Sequence, residues 1–295
     1  MRRRPLACAL VATAALVVGC GERAEPVGEL PAEYPVAVRG AGDRPTVATK
    51  APERIVSLDA GSAELIAALG VGEKLVGVPA GVKGTTATHV VTAVGHVNVD
   101  AVVQLDPDLV VGTPSTDPLD LARAARESGA VSYVQPAESV EELERGVIEL
   151  GFLLARAPEA RRLVARIRRG VAEIEARIAA VKVVPVFVDT GFLITVSDRS
   201  LPGDLVRRAH GRSVAGPNPG PEPFEPCDVM RRDAKVVLAV SNRNERTPAA
   251  EFTSCPDGRR VRVVAVPPNL VLRAGPRIPE ALEAVARALH PNAFR

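Results

Sequence analysis

The sequence predicts an α/β fold of two lobes, each built on a parallel sheet and joined by one long helix. Short apolar strands alternate with segments of helical period, the arrangement that lays helices over both faces of a parallel sheet. One helical stripe runs unbroken from Glu159 to about Ala180, with Leu163, Ile167, Val171, Ile174 and Ile178 at three- and four-residue spacing. At 1.5 Å per residue it spans roughly 33 Å, long enough to bridge two lobes rather than cover one. The alternation then restarts and continues for a similar length. About 240 of the 295 residues follow Arg54, more than a single core usually holds. Aromatic content of 3% with no Trp favours two modest cores over one large one. The expected architecture is two Rossmann-like lobes on a linking helix.

The N-terminus comes first in order. Arg2-Arg3-Arg4 precedes an apolar run from Leu6 to Val18, then Val17-Val18-Gly19-Cys20. A basic head, a short apolar core and small residues before a cut site form an export signal, and the run is too short to cross a bilayer. The site resembles the lipobox of bacterial lipoproteins, which implies that residues 1–19 are removed and that Cys20 is acylated as a membrane anchor. The chain is therefore expected outside the cytoplasm, held at the membrane by lipid. Without the three signal arginines, Lys plus Arg falls from 37 to 34 against 35 acidic residues. No basic surplus remains to neutralise phosphates, so nucleic-acid binding has no support from charge. Cys8 leaves with the signal, and Cys227 and Cys255 remain. In an oxidising compartment that pair suggests one disulfide, closing a loop of about 28 residues and contributing about 3.5 kcal/mol.

Residues 20–52 are rich in Pro, Gly and Ala without a sustained period and read as a flexible tether. The N-terminal lobe is expected over residues 53–157. Arg54 to Leu58 is a strand, Ser62 to Leu69 a helix stopped by Gly70, and Leu75 to Val78 a strand. Val99 to Leu105 is a short helix, and Asp106-Pro107-Asp108 turns the chain into the strand Leu109-Val110-Val111. Leu119 to Ser128 is helical, Val131 to Val134 extended, and Val140 to Ala155 helical. The linker occupies residues 158–181 and the C-terminal lobe residues 182–295. That lobe has strands at Val183–Val188, Val236–Val240 and Val261–Val266, with helices at Leu201–Ala209 and Ile278–Leu289.

Enzyme motifs are missing. His89, His96, His210 and His290 show no metal-ligand spacing, the two remaining cysteines form no CxxC, and neither GxSxG nor GxxxxGK occurs. No catalytic residue, metal site or resident cofactor is expected.

Three segments carry a family resemblance. Glu53-Arg54-Ile55-Val56-Ser57-Leu58 is followed by Ala63-Glu64-Leu65-Ile66-Ala67-Ala68-Leu69-Gly70; Asn98-Val99-Asp100 leads to Leu105-Asp106-Pro107-Asp108; and Ala274-Gly275-Pro276-Arg277 leads to Leu289-His290-Pro291. In this order and spacing the chain resembles the solute-binding proteins of bacterial iron-siderophore, haem and cobalamin import systems. The resemblance implies a receptor that traps a metal-chelate small molecule between two lobes and delivers it to an ABC permease/ATPase complex. Lobe closure of only a few degrees is implied as well. The implied ligands are a ferric siderophore or a cobalamin, with haem as an alternative, and the lack of Trp to stack on a macrocycle tilts the choice toward a siderophore.

Open parallel sheets bind ligands beyond the strand ends. The candidate ligand-binding residues there are Asp59, Ser62, His96, Tyr133, Phe192, Arg199 and Arg273, with Asn98, Asp198, Ser200 and Asn242 to Asn244 nearby. Asp59 to Ser62 also reads as a helix N-cap. His96 and Tyr133 are candidate iron ligands, and Arg273, with Arg277 behind it, is a candidate partner for an anionic ligand. Docking on the permease by one carboxylate per lobe is implied at Asp100. In the second lobe the matching position holds Cys227, leaving Glu225 or Asp228 as substitutes. That departure keeps open a lipid-anchored sensor that no longer serves transport.

Overall fold

The computed structural model describes residues 33–42, 45–82, 85–87, 91–93, 96–241, 252, 255 and 260–295. Cys20, the export segment and Asn242 to Asn244 lie outside the described residues.

Folding begins earlier than the tether reading of residues 20–52 placed it. Strands β1 (Val36–Val38) and β2 (Thr46–Ala48) pair antiparallel, with Val38 and Ala48 buried. Tyr34 Oη donates to Leu153 O at 2.8 Å, and Thr46 Oγ1 donates to Ser132 O at 2.7 Å. Three-residue strands are too short to stand out as a period among Pro and Gly. The ribbon obtains its burial from the lobe on which it lies, since two strands alone are marginal in water.

The first lobe contains β3 (Ile55–Ser57), α1 (Ala60–Ala68), a 3-10 turn at Gly72–Lys74 and β4 (Leu75–Gly77). The two-residue strands β5 (Thr92–Ala93) and β6 (His96–Val97) follow, then α2 (Val99–Gln104), β7 (Leu109–Gly112), α3 (Pro118–Ser128), β8 (Val131–Val134) and α4 (Val140–Leu153). Among the described residues its main sheet runs β4-β3-β7-β8, with every pairing parallel. The register aligns Ile55 with Leu109 and Leu109 with Val131. β3 and β7 are buried along their whole length, which is why they read as continuous apolar runs. Capping begins the helices: Asp59 accepts from Ser62 N, Asp117 from Leu119 N and Asp120 N, and Ser139 from Glu142 N.

The linking helix α5 spans Ala157–Arg177, starting two residues before Glu159 because Pro158 fits the first turn. The second lobe contains β9 (Val184–Asp189), α6 (Leu201–Arg208), β10 (Gly211–Ser213), α7 (Pro226–Arg231), β11 (Val236–Val240), β12 (Arg262–Val266), α8 (Pro268–Val271) and α9 (Ile278–Leu289). Its sheet runs β10-β9-β11-β12, again all parallel. In both lobes the second strand in sequence lies outside the first, and the third lies on the first strand's other side.

The lobes share packing. α5 presents Ala160, Leu163, Val164, Ile167 and Val171 inward, against α4 and α9. One apolar cluster runs from Ile55 and Leu109 through these residues to Val186, Leu238 and Leu282. Asp204 of α6 reaches across to accept from Val140 N at 3.0 Å. Arg208 binds Asp204 at 2.9 Å and Glu175 at 2.7 Å, and also pairs with Glu141 of α4.

Candidate functional site

The strand order places a crevice at the C-terminal ends of β3 and β7 in one lobe and of β9 in the other, where open sheets leave room for ligands. A cleft of about 490 Å³ lies there. Asp59, Thr113, Pro114, Ser115 and Glu138 line it from the first lobe, and Thr190, Ser197, Arg199, Ser200 and Leu272 from the second. An adjoining hollow of about 320 Å³ shares Asp59, Thr113 and Ser115 and continues past Thr92, Val97 and Thr116.

Asp59 lies at the meeting of the two hollows. It caps α1, with Oδ1 accepting from Ser62 N at 2.8 Å. Burial raises its carboxyl above the usual aspartate range, against the hydrogen bonds from Ser62 and Gly61 and the charge of Arg273, which act to lower it. Opposite, Asp189 ends β9 at 4% exposure and accepts from Gly191 N and Leu193 N, both at 2.9 Å. Burial raises its carboxyl too. This turn sets Thr190 in the cleft wall and holds Phe192 and Leu193 at positive φ of 54° and 58°. Ser200 begins α6 and donates to Ser197 O at 2.6 Å, while Ser197 donates to Pro217 O at 2.8 Å. Hydroxyls on the second lobe's side are thereby fixed before a ligand arrives.

The sequence-based candidates divide. Asp59 and Arg199 line the cleft. Tyr133 does not: it is fully buried, its hydroxyl donates to Glu149 Oε2 at 2.9 Å, and burial followed by the Glu149 charge pushes its pKa up. Strand alternation on β8 turns it toward α4. Ser62 is likewise buried in the first turn of α1 and serves the cap. His96 is exposed on β6, and its neighbour Val97 faces the hollow instead. Phe192 is 91% exposed at the tip of its turn and is not among the lining residues.

Arg273 is engaged by a carboxylate of the other lobe. Its Nη1 meets Glu64 Oε1 at 2.6 Å, with Arg277 at 3.6 Å from the other carboxylate oxygen. Glu64 is only 9% exposed, so the pair is an inter-lobe clasp. Thr113, Ser115, Thr190, Ser197 and Asp189 escaped the sequence reading, although an aspartate at a strand end followed by Thr-Gly is a signal that finds the last of them.

The proposed docking carboxylates occupy equivalent places. α2 and α7 each have six residues and precede the third strand of their sheets. Asp100 is the second residue of α2 and is exposed; the second residue of α7 is Cys227. Cys227 is bonded to Cys255, with Cα atoms 5.4 Å apart. Asp228 pairs with Arg231, whereas Glu225 is exposed at the N-cap and makes no capping hydrogen bond.

Comparison with known proteins places these features in context. A family model described as periplasmic binding protein matches residues 55–232. The uncharacterized ABC transporter substrate-binding lipoprotein YvrC of Bacillus subtilis is 24% identical, over 100% of this chain and 99% of that protein. The vitamin B12-binding protein of Photorhabdus laumondii is 22% identical, over 82% of this chain and 90% of its own length. Among solved structures, the periplasmic vitamin B12 binding protein BtuF of Vibrio cholerae superposes with a TM-score of 0.71 at 19% identity, covering 83% of this chain and 98% of that one.

Proposed function

Because the chain belongs to the periplasmic binding protein family, which binds solutes and performs no catalysis, we propose that it is the substrate-binding component of an ABC importer and captures a cobalamin-type corrinoid between its lobes. The chemistry of the cleft lining carries this reading. The described lining offers five hydroxyls, from Thr113, Ser115, Thr190, Ser197 and Ser200, two carboxylates, from Asp59 and Glu138, and one cation, Arg199. A corrin rim presents neutral amides, whose donors and acceptors suit hydroxyls and carboxylates. An anionic ferric chelate calls for converging guanidinium or ammonium groups. Haem iron calls for an imidazole, phenolate or thiolate, and the described lining contains no His, Tyr or Cys. On this reading the corrinoid is preferred to the siderophore that the missing Trp favours. The relative from Photorhabdus laumondii named as vitamin B12-binding supports the same choice.

Binding involves no covalent step. The hydroxyls and Asp59 orient the corrinoid, and Asp100 and Glu225, one per lobe, present it to the permease. Acylated Cys20 keeps the receptor at the membrane, a reading supported by the lipobox-like segment and by the lipoprotein name of YvrC. The bonded Cys227 at the position equivalent to Asp100 favours a second reading, a sensor uncoupled from transport.

Thermal unfolding of the full chain with cyanocobalamin, haem and a ferric hydroxamate tests the ligand. At a hundred times its dissociation constant a ligand stabilises by about 2.7 kcal/mol, a shift of a few degrees. A shift with cyanocobalamin alone is expected; a shift only with haem or the ferric chelate overturns the assignment. Asp100→Ala with Glu225→Ala should retain binding and abolish corrinoid uptake by cells, whereas unchanged uptake rejects the docking assignment. No corrinoid uptake dependent on the native chain would leave the sensor reading in place. Cys20→Ser should release the chain from membranes on fractionation.

A further inference from the structure

Outside the cleft, α4 and α5 flank a third, open hollow of about 650 Å³, lined by Ile148, Val164 and Ala165 and by Arg161, Arg168 and Arg169. No described residue of α5 lines the cleft. The charge here is concentrated. Between Arg156 and Gly170 there are six arginines and one glutamate, whereas the chain from Cys20 onward carries 34 basic and 35 acidic residues in all. Arg162 pairs with Glu159 at 2.9 Å and Arg168 with Glu144 at 2.7 Å. Arg161, Arg166 and Arg169 are exposed, with no ion-pair partner among the described residues.

Two further observations bear on what covers this face. On α4, Arg145, Ile148 and Phe152 recur at three- and four-residue spacing and share one side, and Phe152 is an apolar ring left 41% exposed. The Tyr34–Leu153 hydrogen bond brings the incoming chain to the C-terminal end of α4, beside Arg156. The segment from Cys20 to Glu33 reaches at most roughly 45–50 Å when extended.

We propose that the α4–α5 face is a docking surface for anionic phospholipid headgroups, on which the receptor rests between encounters with its permease. The unpaired guanidiniums meet lipid phosphates, and Phe152 seats in the interfacial layer beside them. The cleft stays open to solvent in that orientation, because α5 supplies none of its lining. The placement of the tether rests on the lipid-anchor reading; the charge and the exposed ring do not.

Arginine footprinting with phenylglyoxal, read by mass spectrometry, tests this on the full chain with vesicles of phosphatidylcholine alone or mixed equally with phosphatidylglycerol. Modification of Arg161, Arg162, Arg166 and Arg169 should slow about fivefold or more on the anionic vesicles, recover in high salt, and stay fast on neutral vesicles, while exposed Arg126 on α3 reacts equally on both. In Arg161→Gln/Arg166→Gln/Arg169→Gln the protection of Arg162 should disappear and cyanocobalamin binding should persist. Equal reactivity on both vesicle types overturns the proposal, as does equal protection on neutral lipid. Protection that grows with protein concentration in detergent alone also overturns it and assigns the face to a second copy of the chain. The mass of the Cys20 peptide in the same digest reports the anchor separately. Vesicles are present in either case, so an unmodified Cys20 rejects the anchor without affecting the footprint.

Discussion

Asp59 serves the fold and the cleft through the same carboxylate. It caps α1 and faces the ligand space, and burial raises its carboxyl. The folded chain therefore keeps this proton where the unfolded chain has released it, and the group's contribution to stability falls as pH rises from about 4. Asp59→Asn preserves the cap and should remove that fall, seen as a flatter dependence of urea unfolding free energy on pH above 4, with weakened cyanocobalamin binding. Arg273→Ala leaves Glu64 buried with only Arg277, at 3.6 Å, to offset it. A loss of about 3 kcal/mol in the same unfolding experiment is expected. Asp59 and Arg199 were legible in the sequence because a residue just beyond a strand end, or just before a helix, faces the crevice largely by its place in the chain. Tyr133 and Arg273 were not, because each is turned by a distant partner: Glu149 holds the first and Glu64 the second. A one-residue change of strand register would have sent Tyr133 to the other face.

The helices and strands were readable to within two or three residues where apolar period and a first-turn proline agreed, as in α3, α5 and α9. The ribbon of β1 and β2 was missed because its burial belongs to a neighbouring element. α7 illustrates a substitution between elements: where α2 carries Asp100, α7 carries Cys227 and is tied to Cys255, which is 9% exposed in the cluster with Phe187, Val229 and Met230. Replacing both cysteines with serine should destabilise the second lobe by about 3.5 kcal/mol relative to the oxidised native chain on the loop-entropy estimate, measured by urea unfolding with the reduced native chain as control. If the reduced native chain and the double variant unfold alike, the bond itself is the stabilising feature.

Between the lobes, a long helix and a continuous apolar cluster replace a flexible joint. The clasps Glu64–Arg273 and Asp204–Val140 add contacts between them. Ligand capture should therefore change the radius of gyration by less than about 1 Å in small-angle scattering, since large domain closure requires hinge residues free to change conformation. The lobes come close at Gly61, where a Cβ would come 2.4 Å from Ala274 O. Backbone cannot yield there as a side chain can. Gly61→Ala should push the lobes apart and weaken cyanocobalamin binding about tenfold or more by titration, consistent with overpacking of about 1–3 kcal/mol. By itself the sequence determined the α/β alternation, the linking helix and the family, because these follow from local period, capping and ordered motifs along one chain. Only the tertiary structure decided which polar groups face the cleft, that Arg273 pairs with Glu64 across the lobes, and that arginines of α5 rim a hollow with Ile148. Those outcomes depend on which side chains far apart in sequence reach one another, and local period contains no information about that.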